Sequence, residues 1–236
     1  MSAETIAARL ASIRARIAAA ARRAGRDPGD VTLVGVAKRM PAESVAEAAR
    51  SGLTCVGENY VQEARDKRAA LAGRSEAQGL RWHFIGNLQR NKARDAVALF
   101  DVVETVDRAE IARELDRRAA AAERTLEVLL QVNVSGEPQK SGAVPDEVPA
   151  LLAACAPLGH LRVAGLMTVP EVSDDPEATR PAFARLRALR DALRERPGGA
   201  GLRELSMGMS ADFEVAIEEG ATLVRVGTAL FGPREA

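Results

Sequence analysis

The chain has 236 residues, and its 33 basic and 33 acidic side chains give a formal net charge of zero. This balance argues against a nucleic-acid-binding protein, which normally carries a basic excess on one face. Apolar side chains make up 47% of the chain, ample for a sizeable core, and no stretch approaches the ~20 apolar residues of a membrane span. Neither nucleic acid nor a membrane is therefore expected as a partner.

The N-terminal segment 4–25 is rich in arginine and poor in acidic residues, as transit peptides are. Its larger apolar residues nevertheless fall on one helical face, which is typical of a helix docked on a core; they are Ile6, Leu10, Ile13 and Ile17. Because the whole chain is equally rich in alanine and arginine, composition accounts for the pattern. A cytoplasmic protein is expected.

The two cysteines, Cys55 and Cys155, lie among apolar neighbours in a strand-like and a helix-like segment. Their spacing fits neither a disulfide framework nor a metal site. Both are predicted to be reduced core residues, and no metal is expected.

Short β-branched runs alternate with amphipathic segments along the chain. Strands are predicted at 31–37, 54–57, 81–85, 102–105, 126–134, 161–167, 204–207 and 222–226. Helices are predicted at 42–51, 60–72, 88–99, 108–122, 145–156, 177–196 and 211–220.

This alternation implies parallel strands joined by right-handed crossovers, and eight such units fit a single closed (β/α)8 TIM barrel over residues 1–236. Almost nothing follows the last strand, so the extra N-terminal helix is expected in the place of an eighth outer helix. The segment 169–181 is interpreted as a barrel loop rather than a domain boundary. An open doubly wound sheet is the alternative, but no Gly-x-Gly-x-x-Gly turn follows the first strand.

In such a barrel the functional site lies at the carboxyl ends of the strands. Those ends are unusually polar and glycine-rich here, and they read Lys38, "GENY", "HFIGN", "NVSGE", "SMGMS" and "RVGT". The opposite ends are nondescript. The asymmetry predicts a site at the carboxyl face.

The last two strand ends have features of a phosphate site. Ser210 is predicted to cap a helix after strand seven, and Gly227 and Thr228 are predicted to form a tight turn after strand eight. Phosphate binding needs backbone N–H donors, a helix N-terminus and small residues that allow close approach. The alternative is that Ser210 only caps a helix and Gly227 only makes a turn.

Lys38 stands at the exit of the first strand, where a desolvated amine can attack a carbonyl. Together with a phosphate site across the barrel mouth, it suggests a phosphorylated aldehyde held as a Schiff base. Pyridoxal phosphate and a sugar-phosphate aldolase substrate both fit, whereas a solvated strand-end lysine is the structural alternative.

Arg225 helps to choose between these ligands, because it alternates with apolar residues in "TLVRVG" and is costly to bury without an acceptor. The ring nitrogen of a pyridine cofactor is such an acceptor. The alternative is an ion pair with a carboxylate such as Glu204 or Glu58.

Seven motifs in order now carry a family resemblance: "VAKRMP", "GENYVQEARDK", "WHFIGNLQRNKAR", "VETVDR", "LLQVNVSGEPQKSG", "GLMTVP" and "LSMGMSADFEVAIEEGATLVRVGTALFG". From about residue 5 to 234 the chain resembles the YggS/PROSC family of pyridoxal phosphate homeostasis proteins. The resemblance implies a (β/α)8 barrel similar to the cofactor domain of bacterial alanine racemase. It departs around the lysine, where Ala37-Lys38-Arg39 replaces the more usual Ser-Lys-Thr, and in "MSADFE".

The resemblance also implies roles for individual residues in binding pyridoxal phosphate. Lys38 would form the Schiff base, Arg225 would face the pyridine nitrogen, and the phosphate would be surrounded by Ser206, Ser210, Gly227 and Thr228. Further positions expected to line the pocket are Met207, Asn59, His83, Asn133 and Met167.

A carrier of the cofactor is favoured over an enzyme. A racemase needs a second acid/base opposite the lysine, and the only tyrosine, Tyr60, lies in the "GENY" turn. An arginine at the ring nitrogen would also weaken the cofactor as an electron sink. The predicted function is buffering or delivery of pyridoxal phosphate, with apo enzymes as recipients; a racemase-like enzyme and a lysine aldolase are the alternatives.

Lys140, in the loop "SGEPQKSG", is hypothesised to be a second amine that takes the aldehyde during transfer. The alternative is a solvated ion pair with Glu137.

Overall fold

The computed structural model describes residues 4–137, 139–171 and 173–233. Within them, eight strands are formed: β1 Thr32–Val36, β2 Cys55–Glu58, β3 Arg81–Phe84, β4 Val102–Val106, β5 Leu126–Gln131, β6 Leu161–Met167, β7 Glu204–Ser206 and β8 Leu223–Val226. They pair in parallel in chain order, and β8 pairs with β1 to close a barrel. The predicted (β/α)8 barrel is confirmed.

The helices of the described residues lie outside the barrel: α1 Ile6–Arg23, α2 Ala42–Arg50, α3 Val61–Ala70, α4 Ala93–Leu99, α5 Ala109–Ala121, α6 Val148–Cys155, α7 Arg180–Arg194, α8 Phe213–Glu218 and α9 Thr228–Phe231. Thr5 caps α1 by accepting a hydrogen bond from the Ala8 N–H at 3.2 Å. The apolar stripe of α1 is buried as predicted, and the helix packs against α2, α8 and α9. It therefore occupies the place of an eighth outer helix.

The core has two parts because inward and outward side chains alternate along each strand. Most apolar side chains pack between the strands and the helices, including Phe183 and Leu186 of α7. A smaller set fills the barrel interior: Val34, Cys55, Val102, Leu129, Ala164, Met167 and Leu223. Both cysteines are buried and reduced, as predicted.

Several predicted boundaries shift where the local backbone changes type. The fifth strand ends at Gln131 rather than residue 134, because Val132 makes only an isolated bridge to Ala143. Three helices are preceded by 3-10 turns, at Arg90–Lys92, Pro145–Glu147 and Pro176–Thr179. The last of these turns lies within the predicted loop 169–181, of which Val172 is outside the described residues.

Among the described residues, no helix combines the length and the apolar character needed to cross a bilayer.

Candidate functional site

A cavity of about 340 Å³ opens at the carboxyl ends of the strands, and Lys38 is on its wall. Six of the predicted site residues line it: Lys38, Asn59, Ser210, Arg225, Gly227 and Thr228. The remaining lining residues, which the sequence prediction did not assign to the pocket, are Val36, Ile85, Val169, Met209 and Ala211. The structure thus brings residues from six separate strand ends to one cavity.

A larger cavity of about 610 Å³ lies at the amino ends of the strands. Its charged groups pair with one another, since Glu127 bridges Arg81 at 2.9 Å and also contacts Arg162. It holds no lysine amine among its lining residues, so the smaller cavity is the better candidate.

Lys38 is placed by the way in which β1 ends. The Ala37 N–H still donates to the Gly57 carbonyl at 3.0 Å, and the Met40 N–H then donates to the Ala37 carbonyl at 3.0 Å, which closes a turn. Arg39 adopts the left-handed conformation in this turn, with φ of 60°. Lys38 is therefore the first residue beyond the barrel wall, and it is half-buried at the cavity.

At the phosphate end, the predicted cap at Ser210 is wrong and the predicted turn at Gly227 is confirmed. Ser210 does not cap α8, because the N-cap position is Asp212, whose Oδ1 accepts the Met209 N–H at 2.6 Å. Ser210 Oγ instead accepts the Ala229 N–H at 3.5 Å. Gly227 makes the predicted tight turn directly from β8 into the short α9, as its N-cap residue, and its carbonyl accepts the Leu230 N–H at 2.9 Å. Ser210 and α9 nevertheless meet at the cavity.

Arg225 is 4% exposed and is held by two acceptors beneath the cavity. Its Nη1 donates to Ser206 Oγ at 2.6 Å and its Nη2 donates to the Thr168 carbonyl at 2.8 Å. Burial lowers the pKa of Arg225, while the carboxylates of Glu104 and Asp212 oppose that shift. The arginine is thus a desolvated cation at the base of the cavity.

Neither acid that the sequence offered as an ion-pair partner contacts Arg225. Glu204 Oε2 accepts a hydrogen bond from Thr222 Oγ1 at 2.5 Å, and Glu58 pairs with Lys67 at 2.5 Å. The acid that faces Arg225 is Glu104, with 4.0 Å between Nη1 and Oε2.

Glu104, which sequence reasoning missed, is the centre of a hydrogen-bonded chain inside the barrel. Its Oε2 accepts the Ser206 hydroxyl at 2.5 Å, and its Oε1 lies 2.6 Å from His83 Nδ1. Burial opposes ionisation of Glu104, but its pKa is lowered because His83, Arg225 and Ser206 stabilise the charged form. The signal was the alternation in "VETVDR", which places Glu104 on the same side of β4 as the interior residue Val102.

His83 is 1% exposed inside the barrel and is not among the residues lining the cavity. Burial would lower its pKa, but the Cys55 sulfur and the Glu104 carboxylate prevail and raise the pKa to about 9. The raised pKa favours the charged imidazolium form, whose Nδ1 lies against the Glu104 carboxylate.

Three other predicted positions lie away from the cavity lining. Met167 fills the barrel interior, and Met207 packs in the outer core with the helices. Asn133 organises the following loop, since its Nδ2 donates to the Glu137 carbonyl at 2.8 Å and its Oδ1 accepts the Gly136 N–H at 3.0 Å. Across the described part of the chain, no cluster of acids, histidines and cysteines could hold a metal ion.

The loop that contains Lys140 is described except for Pro138. Lys140 forms a short ion pair with Glu137, as the structural alternative expected, and its Nζ lies 3.5 Å from Ser135 Oγ.

Comparison with known proteins extends over nearly the whole chain. The family model for the N-terminal domain of alanine racemase matches residues 8–235. The pyridoxal phosphate homeostasis protein of Pseudomonas aeruginosa is 50% identical over 231 residues, which cover 98% of this chain and 96% of that protein. The pyridoxal phosphate homeostasis protein of Aquifex aeolicus is 43% identical, with coverage of 96% and 97%.

Solved structures show the same barrel. PipY of Synechococcus elongatus with pyridoxal phosphate bound superposes with a TM-score of 0.85 at 38% identity, covering 97% of this chain and all of PipY, 100%. An alanine racemase of Clostridium difficile superposes with a TM-score of 0.69 at 16% identity, covering 94% of this chain and 56% of the racemase, which shows the fold alone. With one relative sharing 50% of its residues along almost the full length, the chain belongs to the pyridoxal phosphate homeostasis protein family.

Proposed function

We propose that this chain binds pyridoxal phosphate through Lys38 and buffers or delivers it in the cytoplasm, with residues 1–236 acting as one cofactor-binding domain. The observation that carries the proposal is the shared cavity of Lys38, Ser210, Thr228 and the buried Arg225. A primary amine, small hydroxyl residues and a desolvated cation are the groups that a phosphorylated pyridine aldehyde needs. When bound, pyridoxal phosphate would supply an aldehyde, and the Lys38 amine would be the group on the cavity wall that binds it.

The residues fit the cofactor by their chemistry. Ser210, Gly227 and Thr228 bring two hydroxyls and the backbone N–H groups that begin α9 to one side of the cavity, where a phosphate would be held. Asn59 Oδ1 is buried at the cavity without a hydrogen-bond partner among the described residues, and a donor on a bound ligand would satisfy it.

Arg225 would meet the ring nitrogen. A guanidinium has only donors and keeps its proton at any ordinary pH, so it leaves a pyridine nitrogen unprotonated. An unprotonated ring withdraws electrons weakly, which supports holding the cofactor over carbanion chemistry.

Low catalytic activity is the second part of the proposal. The single tyrosine, Tyr60, is 50% exposed and lines a neighbouring groove rather than the cavity with Lys38. The relatives are named as homeostasis proteins, which supports a carrier that passes pyridoxal phosphate to apo enzymes. A racemase-like activity is the alternative, favoured only by the shared fold.

The visible spectrum of the purified protein loaded with pyridoxal phosphate tests the proposal. Wild type should show an absorbance band above 380 nm, roughly the region of bound pyridoxal imines, and borohydride should bleach it and leave one added cofactor mass on Lys38. Lys38→Ala should lose both signals, whereas Lys92→Ala, at an exposed lysine, should keep them. Identical spectra for wild type and Lys38→Ala would reject the site.

Hydrogen exchange at the α-carbon of amino acids in heavy water separates carrier from enzyme. The carrier predicts exchange no faster than with free pyridoxal phosphate, and rapid exchange would favour the racemase-like alternative.

A further inference from the structure

A charged cluster is buried on the outer side of the barrel, directly behind the turn that carries Lys38. Its members are Glu58 at the end of β2 and Glu63 and Lys67 on α3. Lys67 is 6% exposed, and its Nζ lies 2.5 Å from Glu58 Oε1 and 3.3 Å from Glu63 Oε2. We call these three residues the Lys67 cluster.

The Lys67 cluster bonds to both peptide groups that flank Lys38. Lys67 Nζ donates to the carbonyl of Ala37 at 2.6 Å, which belongs to the peptide before Lys38. Glu63 Oε2 accepts the N–H of Arg39 at 2.7 Å, which belongs to the peptide after Lys38. The backbone of Lys38 is therefore bonded on both sides to one salt-bridged unit.

This unit holds a backbone conformation that the sequence does not favour. Arg39 has a φ of 60° although it is not glycine, and such residues persist where surrounding contacts fix them. The hydrogen bond from its N–H to Glu63 is such a contact, and because its acceptor is charged it is stronger than a neutral bond.

The cluster is also poorly explained as a source of stability. Buried ion pairs lose in desolvation much of what they gain by attraction. Glu58 illustrates the balance: burial raises its pKa to about 6 despite the contact with Lys67, and its Oε2 has no hydrogen-bond partner in the described residues. The hydrogen bonds from Lys67 and Glu63 to the Lys38 turn give the Lys67 cluster a specific role instead.

We infer that Lys67 and Glu63 are positioning residues that fix the Lys38 backbone so that its amine meets the cofactor aldehyde in the cavity. This inference rests on the proposed binding of pyridoxal phosphate. Neither residue is among those that line the cavity, and their hydrogen bonds go to the turn, so both would act through it.

Glu63 gives the cleaner test because its side chain is 31% exposed, so that its loss is expected to leave the barrel folded. Glu63→Ala should speed hydrogen–deuterium exchange of the Arg39 amide in the cofactor-free protein. It should also weaken pyridoxal phosphate binding by roughly tenfold, equal to about 1.4 kcal/mol. Glu63→Gln keeps an acceptor oxygen for Arg39 and should bind within about threefold of wild type.

Glu110→Ala is the matched control, because Glu110 is likewise a first-turn glutamate, on α5, but exposed. It should change neither exchange at Arg39 nor cofactor affinity. Faster exchange in Glu63→Ala with unchanged affinity would overturn the positioning role, and so would unchanged exchange. If wild type itself binds no better than Lys38→Ala, the proposed function fails and this inference fails with it.

A second variant tests Lys67 without leaving an unpaired buried charge. Glu58→Leu combined with Lys67→Met removes both charges together and is expected to fold. It should lose cofactor affinity by roughly tenfold while melting close to wild type. Wild-type affinity in the folded double variant would overturn the role of Lys67.

Discussion

Arg225 and Glu104 meet through a single hydroxyl inside the barrel. Arg225 Nη1 lies 4.0 Å from Glu104 Oε2, and Ser206 Oγ stands between them, donating to Glu104 at 2.5 Å and accepting from Arg225 at 2.6 Å. Because a carboxylate only accepts and a guanidinium only donates, the direction of both hydrogen bonds is fixed. Ser206 thus bridges Arg225 to Glu104 and is not among the residues that line the cavity; its expected place at the phosphate stays a prediction.

Ser206→Ala should therefore disturb the ring end of the site. The substitution leaves Arg225 Nη1 and Glu104 Oε2 each short of one buried hydrogen bond, at a cost of about 1–3 kcal/mol in unfolding free energy. In a chain of this size each kcal/mol lowers the melting temperature by roughly 2–4 °C. Thermal denaturation of Ser206→Ala measures this loss of stability, and Ser12→Ala, on the exposed face of α1, is the control. Equal melting temperatures for the two variants would contradict the bridge.

Glu104→Gln should have a larger effect than Ser206→Ala. The amide keeps the volume of the side chain but removes the only carboxylate within 4.0 Å of the Arg225 guanidinium among the described residues. A buried cation left without its partner costs about 3–5 kcal/mol. Urea denaturation measures the loss, and Glu110→Gln, at an exposed glutamate, should unfold like wild type. A loss no larger than that of the control would mean that Arg225 does not depend on Glu104.

The stability of the protein should depend on pH through His83. Its pKa is raised from 6.5 to about 9 in the folded state, because the Cys55 sulfur and the Glu104 carboxylate outweigh burial. The folded protein therefore holds a proton that the unfolded chain has released, and stability falls with rising pH in this window. The stabilisation that His83 gives the folded state is complete below the pKa of His83 in the unfolded chain. It is lost as the pH rises through about 9, at no more than about 1.4 kcal/mol per pH unit.

This dependence can be checked by measuring the unfolding free energies of wild type and His83→Gln at several pH values. The values should lie between 6 and 10, roughly the window in which an ordinary histidine and the shifted His83 titrate. The wild-type curve should fall toward the alkaline end and the variant curve should be flatter. Parallel curves would show that His83 is not the titrating group.

The sequence could predict the barrel and half of the site because both depend on local pattern. Short β-branched runs between amphipathic segments located every strand, and the carboxyl-end rule placed Lys38 and Arg225 at one face. Glu104 and Ser206 could not be paired in this way, because their contact depends on the closure and register of strands 102 residues apart. The cap at Ser210 was wrong for a local reason, since Asp212 takes the N-cap position in the same turn.

Gly86 should tolerate no side chain, because it packs on the backbone of Asn59 at the cavity. A Cβ at this position would lie 2.1 Å from the Asn59 carbonyl oxygen, so the two backbones must separate. Asn59 lines the cavity with Lys38, and its displacement should weaken cofactor binding as well as lower stability by about 1–3 kcal/mol. Cofactor titration and thermal denaturation of Gly86→Ala measure both effects. Gly159→Ala is the matched control, since a Cβ there meets nothing within 4 Å, and it should match wild type. If Gly86→Ala lost stability but bound pyridoxal phosphate normally, Asn59 would be excluded from the cofactor site.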